Sequence, residues 1–289
     1  LYETLEPEVD ELVVCVPPAT RGNKSDARDA WTRADELRRD AIERRVYKAP
    51  RKFRQLREAA RAYETTRKDM VRAKQRLRSV FRERGIGLDA AIYDAELGKQ
   101  WRNKLPAAYR RRAELFAQQL QTMVEAHEQA RQWLEQEASK VAIVSTLATA
   151  PGIGTIRAAQ IVATIVTPHR FRTRQQLWSY CGLAVVSRSS SDWHIDAQGR
   201  KVPANRTLTR GLNKQRQPLL KAAFKGAANT VIRHMPSHPL HAHYRQLVAN
   251  GTRPDLARLT IARRIASAVL AMWKTNQEYD PAQHCSPAA

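Results

Sequence analysis

LATAPGIGTIRAAQIVATI, residues Leu147–Ile165, joins two apolar helical runs across Pro151-Gly152-Ile153-Gly154. The glycines allow a tight turn with no side chain in the way of an approaching group. The helix that follows begins with unpaired N–H groups and the positive end of its dipole. Gly152, Ile153 and Gly154 therefore read as a helix-hairpin-helix turn that clamps a nucleic-acid phosphate. A plain helix-helix turn is the alternative. Downstream, YCGLAVVSRSSSDW (Tyr180–Trp193) sets Ser189, Ser190 and Ser191 in a polar loop after an apolar Cys181-Gly182-Leu183. TRGLNKQRQPLLKAAFKGAA (Thr209–Ala228) then carries a basic amphipathic helix. A phosphate clamp, a candidate hydroxyl nucleophile and a cationic helix lie close together in the sequence. That combination points to chemistry on a polynucleotide backbone.

The charge balance favours the same partner. The chain has 50 Lys+Arg against 28 Asp+Glu, a formal net charge of +22 and a pI near 10.6. Such a field concentrates polyanions at the surface. With no run of eighteen apolar residues and a mean hydropathy of -0.57, a membrane is not an expected partner. Cys15, Cys181 and Cys285 lie far apart and form no CxxC pair. This argues against a disulfide scaffold and fits a reducing compartment.

The first segment, 1–47, reads helix, strand, helix. Glu11–Val16 is β-branched and closed by Pro17-Pro18, and Ser25 can cap a helix that runs through Arg45. The chain starts at Leu1 without Met, in what reads as mid-helix. A lone strand makes no sheet, so its partners are expected upstream of this start.

Residues 48–140 read as a basic antiparallel coiled-coil hairpin. Leu56, Tyr63, Met70 and Leu77 recur every seven residues, and Gly85-Ile86-Gly87 breaks the helix. After Pro106, apolar positions from Tyr109 to Leu134 alternate at spacings of four and three. Eleven Lys/Arg and three acids lie between Arg51 and Arg78. Arg54, Arg61, Arg72 and Arg76 are the candidate nucleic-acid contacts on that stripe; a solvated helix face is the alternative. The Leu56–Leu77 stripe is also expected to offer an oligomer interface. Residues 141–277 read as helices around a polar insertion at Ser187–Pro203, and 278–289 as a disordered tail.

Asp26 and Asp29 share one face of the first long helix, a spacing that suits Mg²⁺ in phosphoryl transfer. Arg188, Arg206, Arg210 and Lys214 flank the serine loop and can stabilise a pentavalent phosphorus. His234, His238, His241 and His243 cluster around two prolines, where turning is the ordinary role and zinc the rarer one.

GNKSDARDA (Gly22–Ala30), LATAPGIG, FRTRQQLWSYCGL (Phe171–Leu183), RSSSDW (Arg188–Trp193) and TRGLNKQRQPLLKAAFKGAA occur in that order. Together they resemble the bacterial insertion-sequence transposases that pair a RuvC-like DEDD domain with a C-terminal serine domain. That family is also called the bridge-RNA-guided recombinases. The resemblance runs from Leu1 to about Trp273.

The resemblance implies a mainly α chain of three parts. They are the end of an RNase H-like (RuvC) α/β domain, a long coiled coil, and a helical transposase domain with the helix-hairpin-helix turn. Asp26 and Asp29 would be the last two carboxylates of the DEDD set and would hold Mg²⁺, with the other two acids upstream, so that this chain by itself is expected to be inactive. The family serine lies eight residues after the Gly of the Gly-Leu pair, which from Gly182 gives Ser190. The family often has Gly next, where this chain has Ser191, so Ser189 is the second choice. DNA, a guide RNA and further copies of the chain, as a dimer or tetramer, would be the partners, at the nucleoid in the bacterial cytoplasm. The residues by themselves also fit a non-catalytic nucleic-acid-binding protein or a metal-dependent structure-specific nuclease.

Overall fold

Helix dominates the computed structural model, which describes residues 2–16, 25–42, 45–46, 53–87, 89–94, 96–187, 193–195, 197–203 and 209–284. The chain divides into two units, Leu1–Lys52 and Phe53–Ala289.

In the first unit, α1 (Tyr2–Leu5) passes into a 3₁₀ turn at Glu6–Glu8. Next comes α2 (Asp26–Arg38), with Ser25 extended at its N-cap but making no side-chain cap bond. The helix ends seven residues before the expected Arg45. Asp40 takes a left-handed φ of 50°, and its N–H bonds to Leu37 O while that of Ala41 bonds to Glu36 O. These two bonds satisfy the last carbonyls and stop the helix. The expected strand is likewise reduced to one antiparallel bridge, Cys15 with Arg45, reinforced by Val46 N–H to Val14 O at 2.6 Å. The partner in this bridge lies downstream in the chain. No residue of α2 is buried, and Trp31 is 70 % exposed.

The second unit opens with the long helices α3 (Arg54–Arg82) and, after the short α4 (Leu97–Asn103), α5 (Ala107–Ser139). Thr66 meets His127, Arg76 meets Gln119 and Glu83 meets Arg112. As one number rises the other falls, so the helices run antiparallel. Leu56, Ala59, Ala73, Leu77 and Val80 are buried, as are Ala113, Leu120, Ala130 and Leu134. The stripe expected to offer an oligomer interface is therefore largely covered within the chain. Gly85, at φ 65°, closes α3. Its N–H reaches Arg82 O, and that of Ile86 reaches Phe81 O.

His127 tests how closely this seam is packed. Its Nδ1 lies 3.2 Å from Thr66 Oγ1 and its ring 4.8 Å from that of Tyr63. Burial is the main cause that holds its imidazole below the ordinary 6.5. Glu128 opposes the shift, and Arg67, Arg131 and Lys74 add to it. Burial lowers His238 as well, and burial with Arg264 lowers His243. Each group takes a proton more readily unfolded than folded. Their contribution to stability is whole above the unfolded value and is lost as pH falls through the folded values. The thermal midpoint is expected to drop between about pH 7 and about pH 5, and less steeply in His127→Gln. A wild-type midpoint unchanged over that range would contradict this.

Behind the pair lies a helical bundle: α6 (Ala142–Ala148), α7 (Thr155–Ile165), α8 (Arg174–Cys181), α9 (Pro218–His234), α10 (Pro239–Ala249) and α11 (Pro254–Thr275). α11 is its axis, packing on α6, α8, α9 and α10. It is buried on most sides through Ala257, Ile261, Ala262, Ile265, Ala266, Val269 and Met272. The polar insertion is built on two short antiparallel ladders. β1 (Val185–Ser187) pairs with β4 (Thr209–Leu212), and β2 (Trp193–Ile195) with β3 (Lys201–Pro203). The tail is ordered further than expected. Tyr279 N–H bonds to Thr149 Oγ1 at 3.0 Å, its ring lies 5.8 Å from that of His238, and α12 spans Pro281–His284. An aromatic side chain with apolar area to cover accounts for the docking. Among the described residues, no helix is long and apolar enough to cross a membrane.

Candidate functional site

The Pro151–Gly154 turn links α6 to α7. Ile153 is buried, and Gly152 lies directly on the α9 backbone: a Cβ there would stand 2.4 Å from Ala227 O. The Gly152 carbonyl accepts from Arg157 Nη1 at 2.6 Å, and the same nitrogen donates to Thr230 Oγ1 at 3.2 Å. Burial pulls the Arg157 guanidinium below its ordinary range. Of the three residues named for the clamp, only Gly154 faces open space, with nothing within 4 Å of its Cβ position. As N-cap of α7 it makes no side-chain bond. The first N–H groups of α7 thus begin without intrahelical acceptors and face outward beside it.

The serine triplet falls in the connection between β1 and β2. Ser189, Ser190, Arg188 and Arg206 lie outside the described residues, and Arg210 falls within β4. What seats the connection is described. Cys181 and Leu183 are fully buried, and Gly182 closes α8 at φ 68° with Leu183 N–H on Trp178 O at 2.7 Å. Leu183 O accepts from Arg263 Nε at 2.7 Å. Asn213 N–H bonds to Ala184 O, and Gln217 N–H to Tyr180 O. The β1–β4 ladder is thereby fastened to α8, α9 and α11. Burial pushes the Cys181 thiol up to about 12, so it is not a nucleophile here.

The start of α9 is a cationic face. Arg216 lies across Gly182, where a Cβ would come within 2.2 Å of Arg216 Cδ. Burial lowers the Lys221 ammonium, and the charges of Arg216 and Lys225 lower it further. No carboxylate among the described residues pairs with these three, which leaves their charge available to an anion. The α3 cations differ. Arg61 pairs with Glu58 at 2.6 Å, Arg72 with Asp69 at 2.9 Å, and Arg76 donates to Gln119 at 3.1 Å. Arg54, like these, is exposed. Such exposed pairs are worth about 0–1 kcal/mol and exchange readily for a phosphate.

Asp26 and Asp29 occupy the first turn of α2. Neither carboxylate pairs with another side chain among the described residues, and no three His, Cys, Asp or Glu side chains among them gather around a metal position. Two hard oxygens suit one Mg²⁺ completed by water and a phosphate, and are too few for a two-metal centre. The histidine cluster is structural at His238, whose Nδ1 accepts Leu240 N–H at 3.1 Å and caps α10.

Arg157, Gln160, Arg216 and Arg263 were not singled out from the sequence. Gln160 alone carried a signal, as the polar residue inside the apolar run AAQIVATI.

Residues 144–245 match the family model described as Transposase IS116/IS110/IS902 family. The matched segment is a little over a third of the chain and takes in the α6–α7 turn, both strand pairs, the serine triplet and α9. It supports an insertion-sequence transposase, an enzyme class that acts in DNA transposition and binds DNA. No curated protein matches the chain.

Proposed function

We propose that this chain is a DNA transposase and site-specific recombinase of an insertion sequence, with Ser190 as nucleophile and Ser189 as the alternative. The observation that carries the reading is the family match over residues 144–245, which contains the serine triplet and the cations Arg216, Lys221 and Lys225, with which no described carboxylate pairs. Ser190 Oγ attacks a phosphodiester phosphorus. One P–O bond forms to serine and one breaks to a deoxyribose oxygen, which takes a proton as the hydroxyl loses one. The phosphoserine link conserves bond energy, so rejoining needs no ATP. Arg216, Lys221 and Lys225 supply positive charge for the phosphate that enters beside the ladder. Asp26 and Asp29 are proposed ligands of Mg²⁺, whose chemistry would be Lewis-acid polarisation of a phosphate. A guide RNA, read through its backbone on α3, would select the site by base pairing.

The test is to stop a reaction of the protein with its DNA ends by denaturation and map the modified peptide. A DNA adduct on Ser190 is expected; one on Ser189 moves the role by a residue. Strand exchange with no serine adduct ends the mechanism. A protein that only binds, or a metal nuclease, leaves no adduct.

Binding itself is expected to be steeply salt-dependent. Affinity for duplex DNA or structured RNA should fall on the order of 10³-fold between about 50 mM and about 200 mM salt. Reversing Arg54, Arg61, Arg72 and Arg76 to Glu should weaken binding more than reversing Lys221 and Lys225. The α3 stripe extends along 29 residues, roughly 43 Å at the helical rise. Affinity that stays flat with salt in a filter-binding titration removes the basic-surface reading.

A further inference from the structure

The open end of α7 borders a cleft of about 510 Å³ between α3, α5, α7 and α9. Its walls include Tyr63, Glu64, Arg67, Glu135, Gln160 and Ala222. Three features of this cleft are unexplained by the fold.

Gln160 is only 6 % exposed, and its side chain has no hydrogen-bond partner among the described residues. Yet no buried side-chain nitrogen or oxygen among those residues is left unpartnered. The Gln160 amide therefore keeps some accessible surface, and the residue lines the cleft. An amide held this way completes its hydrogen bonds with whatever occupies the cleft, water or a ligand. Secondly, the N–H groups of Thr155, Ile156 and Arg157 form the uncapped first turn of α7 at the rim. Thirdly, the opposite wall holds carboxylates. Arg67 donates to both oxygens of Glu64 at 2.9 Å. Burial alone would raise the Glu64 carboxyl, but Arg67 and Lys68 outweigh it and hold the group below its ordinary 4.5. Glu64 thus stays an ionised acceptor. Glu135, with Arg131 at 3.3 Å, lies on the same side.

These features select a ligand class. A free phosphate suits the rim, but in the interior Glu64 and Glu135 are each matched by an arginine and Arg157 is engaged with Gly152 O and Thr230, which leaves little unmatched positive charge for it. A purely apolar ligand leaves the Gln160 amide and the carboxylates unmatched. A nucleobase has flat apolar faces and an edge that both donates and accepts. A glutamine amide matches that edge with one donor and one acceptor. Carboxylates accept from exocyclic amino groups, and the Tyr63 ring offers a stacking face.

We infer that this cleft takes a single base turned out of a nucleic-acid strand, its phosphate resting on the first turn of α7. The carboxylate wall favours bases that carry an amino group, adenine and cytosine among them, over thymine. The inference rests on the nucleic-acid-binding reading above and is independent of the serine chemistry.

The experiment compares eight-residue single strands of oligo-dA, oligo-dC, oligo-dT and a fully abasic strand of the same length and charge, titrated into the whole chain. Oligo-dA and oligo-dC are expected to bind about tenfold or more tighter than the abasic strand, with oligo-dT between them. Gln160→Leu should cut that preference to about twofold and leave abasic affinity unchanged. Ala222→Trp does the same by filling the cleft from an exposed position, so it carries the test even if the Gln160 variant fails to fold. Equal wild-type affinity for oligo-dA and the abasic strand overturns base insertion and leaves backbone binding standing. So does a full preference surviving in Ala222→Trp. Failure of every strand to bind removes the nucleic-acid reading along with it.

Discussion

In a protein that carries the whole carboxylate set, Ser190→Ala is expected to abolish strand exchange, by on the order of 10⁴-fold or more, while DNA affinity stays within about twofold. The two effects part company because the hydroxyl is small and the binding charge lies elsewhere. Arg216 precedes α9 and Lys221 and Lys225 lie a turn apart on it, and α3 carries its own row of arginines. The connection bearing Ser190 hangs from the β1–β4 ladder, whose anchors at Leu183, Asn213 and Gln217 are main-chain and buried groups that the substitution does not touch. A reconstituted excision assay and a binding titration on the same preparation give both numbers. Loss of binding in parallel with exchange would make Ser190 a structural residue. Retention of exchange, with the loss appearing instead in Ser189→Ala, would move the nucleophile by one. Asp26→Asn and Asp29→Asn should also stop the reaction at ordinary Mg²⁺, and partial rescue at raised Mg²⁺ would mark a ligand role.

What could be read in advance was whatever repeats locally. The α3 and α5 periodicities persist over many turns, and Gly85 and Pro106 mark their inner ends. Leu56, Leu77, Leu120 and Leu134 are buried as their spacing requires. The Pro151–Gly154 turn was equally plain. The insertion after Ser187 was harder, because strands of three residues, Val185–Ser187 and Trp193–Ile195, are too short to display an alternation. The end of α2 was misplaced because a left-handed Asp40 has no strong sequence mark, whereas a glycine there would have had one. The cleft was invisible for a different reason. Tyr63, Glu135, Gln160 and Ala222 come from four helices, and only packing brings them together. The same distinction governs the oligomer expectation. A heptad stripe announces that something covers it, and here α5 of the same chain covers most of it.

The largest effect on folding is expected from Gly152→Ala, and the contrast with Gly154→Ala two residues on tells what the turn's glycines are for. At Gly152 the φ is 71°, and an added Cβ would stand 2.4 Å from Ala227 O and 3.0 Å from both its carbonyl carbon and its Cα. All three atoms belong to the backbone of α9, so no rotamer change relieves the clash. Either α9 moves off the turn or the turn deforms. Both cost core burial, because Phe224, Ala227, Ala228 and Val231 on that face of α9 are fully buried. A loss of about 3 kcal/mol or more follows, with a melting midpoint lower by roughly 6–12 °C. At Gly154 the φ is -85°, and nothing lies within 4 Å of the Cβ position. Ala there should cost less than about 1 kcal/mol, the difference between the two residues at an N-cap. If both glycines served only to let a phosphate approach, both variants would keep their stability and lose binding together. Thermal melts of the pair decide it. A Gly152→Ala protein that melts within a degree or two of wild type would show that α9 is not seated on the turn.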